Sequence, residues 1–180
     1  MKAILPLSLA AALAFAAPDP ATAGTLDGTI NAGGALSYTS TTVAGSELDV
    51  DLHGGLYVID SVFVGGDLLV RDNKAVTEWE LAAMGRFHFL DPFLTDEGGA
   101  IANFSPYVGL RLGYASGDNS VKDESGAMIA FRLGCDFFLT DNLALDLFVD
   151  AVTATADVYA DKAKMESTQV RLHLGIDLFF

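Results

Sequence analysis

The chain has 180 residues, and its 10 Lys and Arg residues against 24 Asp and Glu residues give a formal net charge of −14. This length suits a single domain, and the acidic balance excludes a nucleic-acid-binding surface. Apolar residues make up 51% of the chain, yet beyond the N-terminus no apolar run reaches the ~20 residues that a membrane helix needs. The composition therefore favours either a large soluble β core or a membrane β-barrel.

The N-terminal segment has the features of a secretory signal. Lys2 is followed by an apolar stretch over residues 3–17 and then by the small-x-small sequence Ala21-Thr22-Ala23. This order of basic, apolar and small residues predicts a cleaved signal peptide over residues 1–23 and a mature domain over residues 24–180. A retained anchor is the alternative, and it is disfavoured because the apolar stretch is too short to span a membrane.

Eight segments of the mature region alternate between apolar and polar residues, which is the pattern of β-strands. Most are about ten residues or slightly longer, the length that a tilted membrane strand requires. The predicted strands cover residues 25–38, 48–59, 62–71, 75–90, 106–115, 126–139, 143–155 and 170–180. Tight turns are predicted at Asp60-Ser61 and 140–142, and longer connections at 91–105, 116–125 and 157–166.

Charged residues of the strand cores all fall on the parity opposite to the apolar side chains. A cation on the lipid face at mid-bilayer costs about 2–4 kcal/mol, so a membrane would impose this segregation. The sequence thus predicts an all-β fold, an eight-stranded antiparallel up-and-down transmembrane β-barrel. Small barrels fill their interior with side chains. The predicted lumen charge network comprises Arg86, Arg111, Arg132, Arg171, Glu80, Asp136, Asp146, Asp150 and Asp177.

Aromatic residues on the apolar parity are predicted to form two girdles at the membrane surfaces. Trp79 and Phe89 are ten residues apart on one strand, a separation of roughly 25 Å along the membrane normal. The predicted outer girdle contains Tyr38, Trp79 and Tyr114, and the inner girdle contains Phe89, Phe137 and Phe180.

Three stretches carry a resemblance to a known family. Ser-Pro-Tyr-Val-Gly-Leu-Arg-Leu-Gly-Tyr at 105–114, Phe-Phe-Leu-Thr-Asp-Asn-Leu-Ala-Leu at 137–145 and the C-terminal aromatic strand resemble the small outer-membrane β-barrels of Gram-negative bacteria, of the OmpX, OmpW and OmpA-barrel type. The resemblance implies an outer-membrane location and contacts with membrane lipid and lipopolysaccharide. It also implies insertion by the barrel assembly machinery, with Phe180 as the assembly signal.

The resemblance further implies a monomer without cofactor that has a structural or surface-interaction role. A narrow porin-like pore, or a barrel that binds or transports a small hydrophobic solute, is the alternative function. An enzyme that modifies lipid A and a soluble lipocalin-like barrel are less favoured alternatives.

Catalytic and metal-binding residues are not predicted. His53, His88 and His173 have lumen parity, and none is followed at short spacing by a Ser partner. A divalent cation is one alternative for Asp49 and Asp51 near the outer end of the second strand and for Asp118, Asp123 and Glu124 in the 116–125 loop. Their spacing matches no calcium-loop pattern, so they are interpreted as solvated charges. Cys135 has lipid parity and is interpreted as a small hydrophobic residue.

Overall fold

The computed structural model describes residues 28–41, 45–72, 76–89, 104–119, 122–161 and 164–180. The predicted signal segment lies outside these ranges, as do residues 90–103, which include most of the predicted 91–105 connection. No helix of the described residues is long and apolar enough to cross a membrane.

Eight long strands form a closed barrel in which every neighbouring pair is antiparallel. They are β1 Ile30–Thr41, β2 Gly45–Ile59, β3 Val62–Asp72, β4 Val76–His88, β5 Phe104–Asn119, β6 Lys122–Thr140, β7 Leu143–Ala154 and β10 Thr168–Phe179. Two short strands, β8 Tyr159–Asp161 and β9 Lys164–Glu166, form a separate hairpin. The predicted eight-stranded antiparallel barrel is confirmed.

Pairing between the first and last long strands closes the sheet. β1 and β10 are in register from Asn31 opposite Phe179 to Ser37 opposite His173. Beyond this ladder, Ile30 and Phe180 exchange backbone hydrogen bonds of 3.0 and 2.9 Å. Closure leaves no unpaired sheet edge, and this is what allows a sheet to sit in lipid, where unpaired backbone groups are costly.

One end of the barrel, which we call the base, carries tight turns at Asp60–Ser61 and Asp141–Asn142. The side-chain amide of Asn142 donates to the backbone oxygen of Phe179 at 2.9 Å and so ties the second turn to β10. Both turns were predicted from short polar interruptions between apolar strands, and both are confirmed. The opposite end, the top, carries the longer hairpins.

The predicted loop at 116–125 is wrong. β5 and β6 stay paired from Phe104 opposite Phe137 as far as Asn119 opposite Lys122, so the hairpin extends well above the apolar part of the wall. A strand that projects into water has no apolar face to conceal. Its sequence is therefore polar on both parities and resembles that of a loop.

The predicted loop at 157–166 is also incomplete, since it contains the β8–β9 hairpin, with Tyr159 opposite Glu166. Strands of three residues are too short to show a two-residue period, so the alternation signal could not reveal them.

Side chains alternate between the inside and the outside of the wall, except at register shifts near the base ends of β2 and β6. Along β7, buried residues at every second position alternate with exposed or half-buried ones. On β10, Leu172 and Leu174 are exposed, whereas Arg171 and His173 are fully buried. The barrel is therefore apolar outside and charged inside, the inverse of a soluble protein.

Candidate functional site

The lumen is filled by ionised side chains. Five arginines with at most 2% exposure point into it, namely Arg71, Arg86, Arg111, Arg132 and Arg171. Nine buried carboxyl groups of the described residues surround them: Asp49, Asp51, Asp67, Glu78, Glu80, Asp136, Asp146, Asp150 and Asp177. Buried charges need close partners to offset their lost hydration, so the contacts among these groups determine what the lumen can do.

Four of the arginines and six of the carboxylates form what we call the top network. Its members are Arg71, Arg111, Arg132, Arg171, Asp49, Asp51, Asp67, Glu78, Glu80 and Asp150. Each of these six carboxylates lies in ion-pair contact with at least one arginine, and the pairs link strands on opposite sides of the barrel.

Arg132 on β6 and Arg111 on β5 lie at the centre of the top network. The Nε of Arg132 donates to Asp150 at 2.8 Å, and one terminal nitrogen reaches across the lumen to Asp51 at 2.9 Å. Arg111 donates to Asp150 at 2.8 Å and to Glu80 at 3.0 Å. Asp150 is thus shared by two guanidinium groups, which fixes both in position.

The remaining two arginines extend the top network toward the top end. Arg71 donates to Asp49 at 2.6 Å and to Glu78 at 3.1 Å, which joins β3 to its neighbours on both sides. Arg171 on β10 donates to Glu80 on β4, across the full width of the lumen. These contacts obstruct the lumen instead of lining an open channel.

A segment between β7 and β10 folds inward and covers the top network. Val158 and Tyr159 are buried, and they pack on inward-facing residues that include Met128 and Val152. The guanidinium of Arg171 lies 5.1 Å from the centroid of the Tyr159 ring, within cation–π distance. Burial, together with the nearby Glu80 carboxylate, raises the pKa of Tyr159, so the phenol stays neutral.

A second group of charges, the base cluster, lies nearer the base and consists of His53, Arg86, Asp136, Asp146 and Asp177. The Nε2 of His53 is 2.7 Å from Oδ1 of Asp177. Arg86 donates to Oδ2 of Asp177 at 3.1 Å and places its other terminal nitrogen 3.7 Å from Asp146.

Asp136 differs from the other carboxylates of the base cluster. It faces Asp146 directly across the β6–β7 ladder, and neither of its oxygens has a hydrogen-bond donor among the described residues. The Tyr107 hydroxyl donates to Asp146 at 2.8 Å, but Asp136 has only the Nδ1 of His88, at 3.9 Å. Asp146 and Asp177 therefore share Arg86, and Asp136 contacts no arginine among the described residues.

Glycines that point inward make room for these side chains. Gly33 lies between His53 and Asp177 in register, and a Cβ placed there would collide with the Oδ1 of Asp177 and the Nε2 of His53. Likewise, a Cβ at Gly134 would collide with the Tyr107 ring. Small and large residues thus alternate around the lumen, as the narrow bore requires.

An aromatic floor closes the lumen below the base cluster. Tyr57, Phe63, Phe138 and Phe179 are buried together there, with the Phe138 and Phe179 ring centroids 4.9 Å apart. The Tyr57 hydroxyl lies 3.0 Å from Nε2 of His88. The base end is therefore filled by rings instead of ions.

The structure brings together one Ser–His pair that sequence reasoning missed. The Oγ of Ser105 lies 3.0 Å from Nδ1 of His88, because β4 and β5 are neighbours although the two residues are 17 positions apart. The other ring nitrogen contacts Tyr57 and not a carboxylate. This differs from a nucleophile–base–acid arrangement.

The structure places all nine residues of the predicted charge network in the lumen. Sequence reasoning left several partners out of the network, although their inward parity was a signal for them: Arg71, His53, Asp49, Asp51 and Asp67. Asp49 and Asp51 are ion-paired with arginines. Asp118 and Asp123 are exposed and face each other near the tip of the β5–β6 hairpin.

The predicted girdle aromatics that the structure describes lie on the outer surface. The rings of Trp79 and Tyr114 are 5.9 Å apart, and Phe137 packs on Phe104 at 5.2 Å. Phe89 is exposed and Phe180 is half-buried, whereas the side chain of Tyr38 lies outside the described part of the chain. Cys135 is half-buried. The girdle role and the assembly role of Phe180 stay predictions.

A closed wall of eight antiparallel strands, apolar outside and packed with ion pairs inside, defines the fold class of the small outer-membrane β-barrels. The chain is similar to the N-terminal barrel domain of OprF from Pseudomonas aeruginosa, with a TM-score of 0.62 at 14% identity over 86% of this chain and 98% of that one. It is also similar to Neisserial surface protein A, with a TM-score of 0.58 at 16% identity over 84% and 96% of the two chains.

A third similar structure is the outer membrane protein OprG from Pseudomonas aeruginosa, with a TM-score of 0.55 at 14% identity over 89% of this chain and 99% of that one. No family model matches the sequence, and no curated protein matches it. At these identities the similarity establishes the fold, and the function has to be argued from the chain itself.

Proposed function

We propose that the chain is an integral outer-membrane protein with a structural or surface-interaction role and a lumen closed by its own side chains. One observation carries this proposal: among the residues whose side chains the structure describes, 28 large hydrophobic ones are exposed, including Phe131 at 64% and Leu133 at 63%. Soluble monomers rarely expose contiguous apolar patches above a few hundred Å². Lipid is the solvent that such a belt requires.

The distribution of charge supports the same conclusion. Exposed acidic side chains occur only at strand ends and connections of the described residues, at Asp118, Asp123, Asp141, Asp157 and Glu166. Between them the outer wall carries no exposed Asp, Glu, Lys or Arg whose side chain the structure describes. A lipid face with charges only at its two borders is the pattern of outer-membrane barrels.

Export and insertion complete the proposal. The signal peptide over residues 1–23 would direct export, and the barrel assembly machinery would insert the chain through the strand that ends at Phe180. The inserted monomer would contact membrane lipid and lipopolysaccharide, and its top hairpins would carry any recognition of a partner.

Cell fractionation tests the location. We expect the chain to sediment with outer membranes, to begin at Gly24, and to migrate faster on dodecyl sulfate gels before boiling than after it. Recovery in the soluble periplasm with unchanged mobility on boiling would contradict membrane insertion and favour the soluble barrel.

Planar bilayers test the closed lumen against the porin-like alternative. Arg132 on β6 reaches Asp51 on β2 across the bore, and Arg111 on β5 joins Glu80 on β4 to Asp150 on β7. Because these contacts fill the bore, we expect no stable openings from the wild-type chain. Openings that disappear when Arg111 or Arg132 is neutralised would favour conduction through the network. The mass of lipid A from cells that express the chain tests the enzyme alternative. We expect this mass to be unchanged, and a changed mass would favour an enzyme that modifies lipid A.

A further inference from the structure

Among the residues that the structure describes, the base cluster holds more acidic than basic side chains. With all three carboxyl groups ionised, Asp136, Asp146 and Asp177 would carry three negative charges against the single positive charge of Arg86, and all four side chains are buried. A divalent cation would restore neutrality with His53 in its neutral form, whereas a monovalent cation would leave one negative charge. Uncompensated charges are costly in such an environment.

The ligand atoms already converge. One nitrogen of His53 and one oxygen from each of Asp146 and Asp177 lie within 4.8 Å of one another. Metal–ligand bonds of about 2.0–2.1 Å place the ligand atoms of a tetrahedral ion roughly 3.3 Å apart. Small rotations of these side chains would therefore complete the site.

Asp136 supplies an independent indication of a ligand. Its carboxylate is fully buried opposite Asp146, and neither oxygen has a hydrogen-bond partner among the residues that the structure describes. A buried carboxylate without a donor is rare in native structures unless it serves a bound ion or a similar purpose. Its oxygens are not among the three atoms that already converge, but its place opposite Asp146 makes it our candidate for the fourth ligand.

The surroundings hold the ligands as metal sites usually do. Asn31 and Arg86 donate to Oδ2 of Asp177 at 3.2 and 3.1 Å, so its Oδ1 is left toward His53. On the other side of the imidazole, Oδ1 of Asp51 lies 3.6 Å from Nδ1. A carboxylate near the second nitrogen of a ligating histidine is a recurrent feature of metal sites.

Gly33 provides the space for the site. It lies between His53 and Asp177, and a Cβ at this position would occupy the place where their side chains meet. The space is found at Gly33 and not at the next glycine. Gly34 faces the outer surface, and a Cβ added there would lie near the backbone oxygen of Asp51 and the side chain of Leu52.

We propose that the base cluster binds one divalent transition-metal ion, with His53, Asp146 and Asp177 as ligands and Asp136 as the fourth. A set of one imidazole nitrogen and several carboxylate oxygens suits Zn²⁺ and similar ions better than Ca²⁺ or Mg²⁺, which take oxygen ligands. The aromatic floor below and the top network above enclose the cluster, so the ion enters while the barrel folds.

The test is to refold the untagged chain from urea into detergent micelles with Zn²⁺ or with a chelator, and then to remove unbound zinc. We expect about one zinc ion per folded chain by mass spectrometry of the metal content. His53→Gln removes a ligand, and we expect its zinc content after the chelator wash to fall roughly tenfold or more. The matched control is His173→Gln, which changes a buried lumen histidine outside the cluster and should keep the wild-type zinc content.

Cobalt provides a readout that needs no variant. Wild-type chain refolded with Co²⁺ should show the visible absorption of a four-coordinate ion, and refolding with an excess of Zn²⁺ over Co²⁺ should abolish that absorption. A wild-type chain that folds without retaining zinc and without this absorption would overturn the proposal. Equal zinc contents in His53→Gln and His173→Gln would also overturn it.

Discussion

The two halves of the lumen contain the same types of residue but satisfy them differently. In the top network each carboxylate contacts an arginine, and Asp150 contacts two. In the base cluster Asp146 and Asp177 contact the same arginine, Arg86, and Asp136 contacts no arginine among the described residues. The difference shows that inward parity alone does not produce a balanced plug. The ion pairs of the top network hold its side chains in place, whereas the base cluster has carboxyl oxygens that could bind a cation.

Arg132→Met should have the largest effect, because it leaves the buried Asp51 without its arginine and removes one of the two partners of Asp150. We expect a loss of about 3–5 kcal/mol in the free energy of unfolding. Urea titration in lipid vesicles, monitored by Trp79 fluorescence, measures it. The control is Leu133→Met on the outward face, which should cost less than about 1.5 kcal/mol. Similar losses from the two variants would show that the top network does not stabilise the barrel.

The same substitution in each half provides the sharpest form of the comparison. Asp150→Asn withdraws a shared partner from Arg111 and Arg132 and should cost about 2–3 kcal/mol. Asp136→Asn, measured in chelator, removes a negative charge that has no donor, and should leave the unfolding free energy within about 1 kcal/mol of the wild type or raise it. If Asp136→Asn were as destabilising as Asp150→Asn, the two halves would not differ in how their charges are satisfied.

Neighbouring glycines test the room inside the base cluster. Gly33→Ala should cost about 1–3 kcal/mol, because the new methyl group separates His53 from Asp177. At Gly34 the added methyl group of Ala would face outward and lie 3.2 Å from both the backbone oxygen of Asp51 and the flexible end of Leu52. Because neither contact is a collision, Gly34→Ala should cost less than about 1 kcal/mol. Urea midpoints in vesicles compare the two variants, and a larger cost for Gly34→Ala would contradict the close approach of His53 and Asp177 at Gly33.

The smallest effect is expected at the cover over the top network. Tyr159→Leu removes the ring that contacts Arg171 and should cost about 0.5–1 kcal/mol. Tyr159→Phe keeps the ring, and the hydroxyl has no hydrogen-bond partner in the described part of the chain, so its unfolding midpoint should match the wild type. A larger loss from Tyr159→Phe than from Tyr159→Leu would mean that the hydroxyl, and not the ring, holds the cover.

The barrel could be predicted from sequence because each strand has an apolar face toward lipid and a polar face toward the lumen. Apolar and polar residues therefore alternate along the strand with a period of two. The part of the β5–β6 hairpin beyond Ala115 could not be predicted as strand, because both of its faces are polar where it extends past the apolar belt.

The inward direction of the lumen residues was predictable for the same reason, but their partners were not. Arg132 on β6 contacts Asp51 on β2 across the bore. A contact between residues so far apart in sequence cannot be predicted from a local sequence pattern. The base cluster depends on strands far apart in the chain, and Ser105 meets His88 only through the β4–β5 pairing.

The central claim is that the apolar face of the wall lies in lipid, and Trp79 tests it directly because it is the only tryptophan of the chain and is exposed on that face. In vesicles whose lipids carry brominated acyl chains, we expect Trp79 emission to be strongly quenched, and aqueous iodide to have little effect. Strong quenching by iodide, with none by the brominated lipids, would contradict the lipid exposure of the wall.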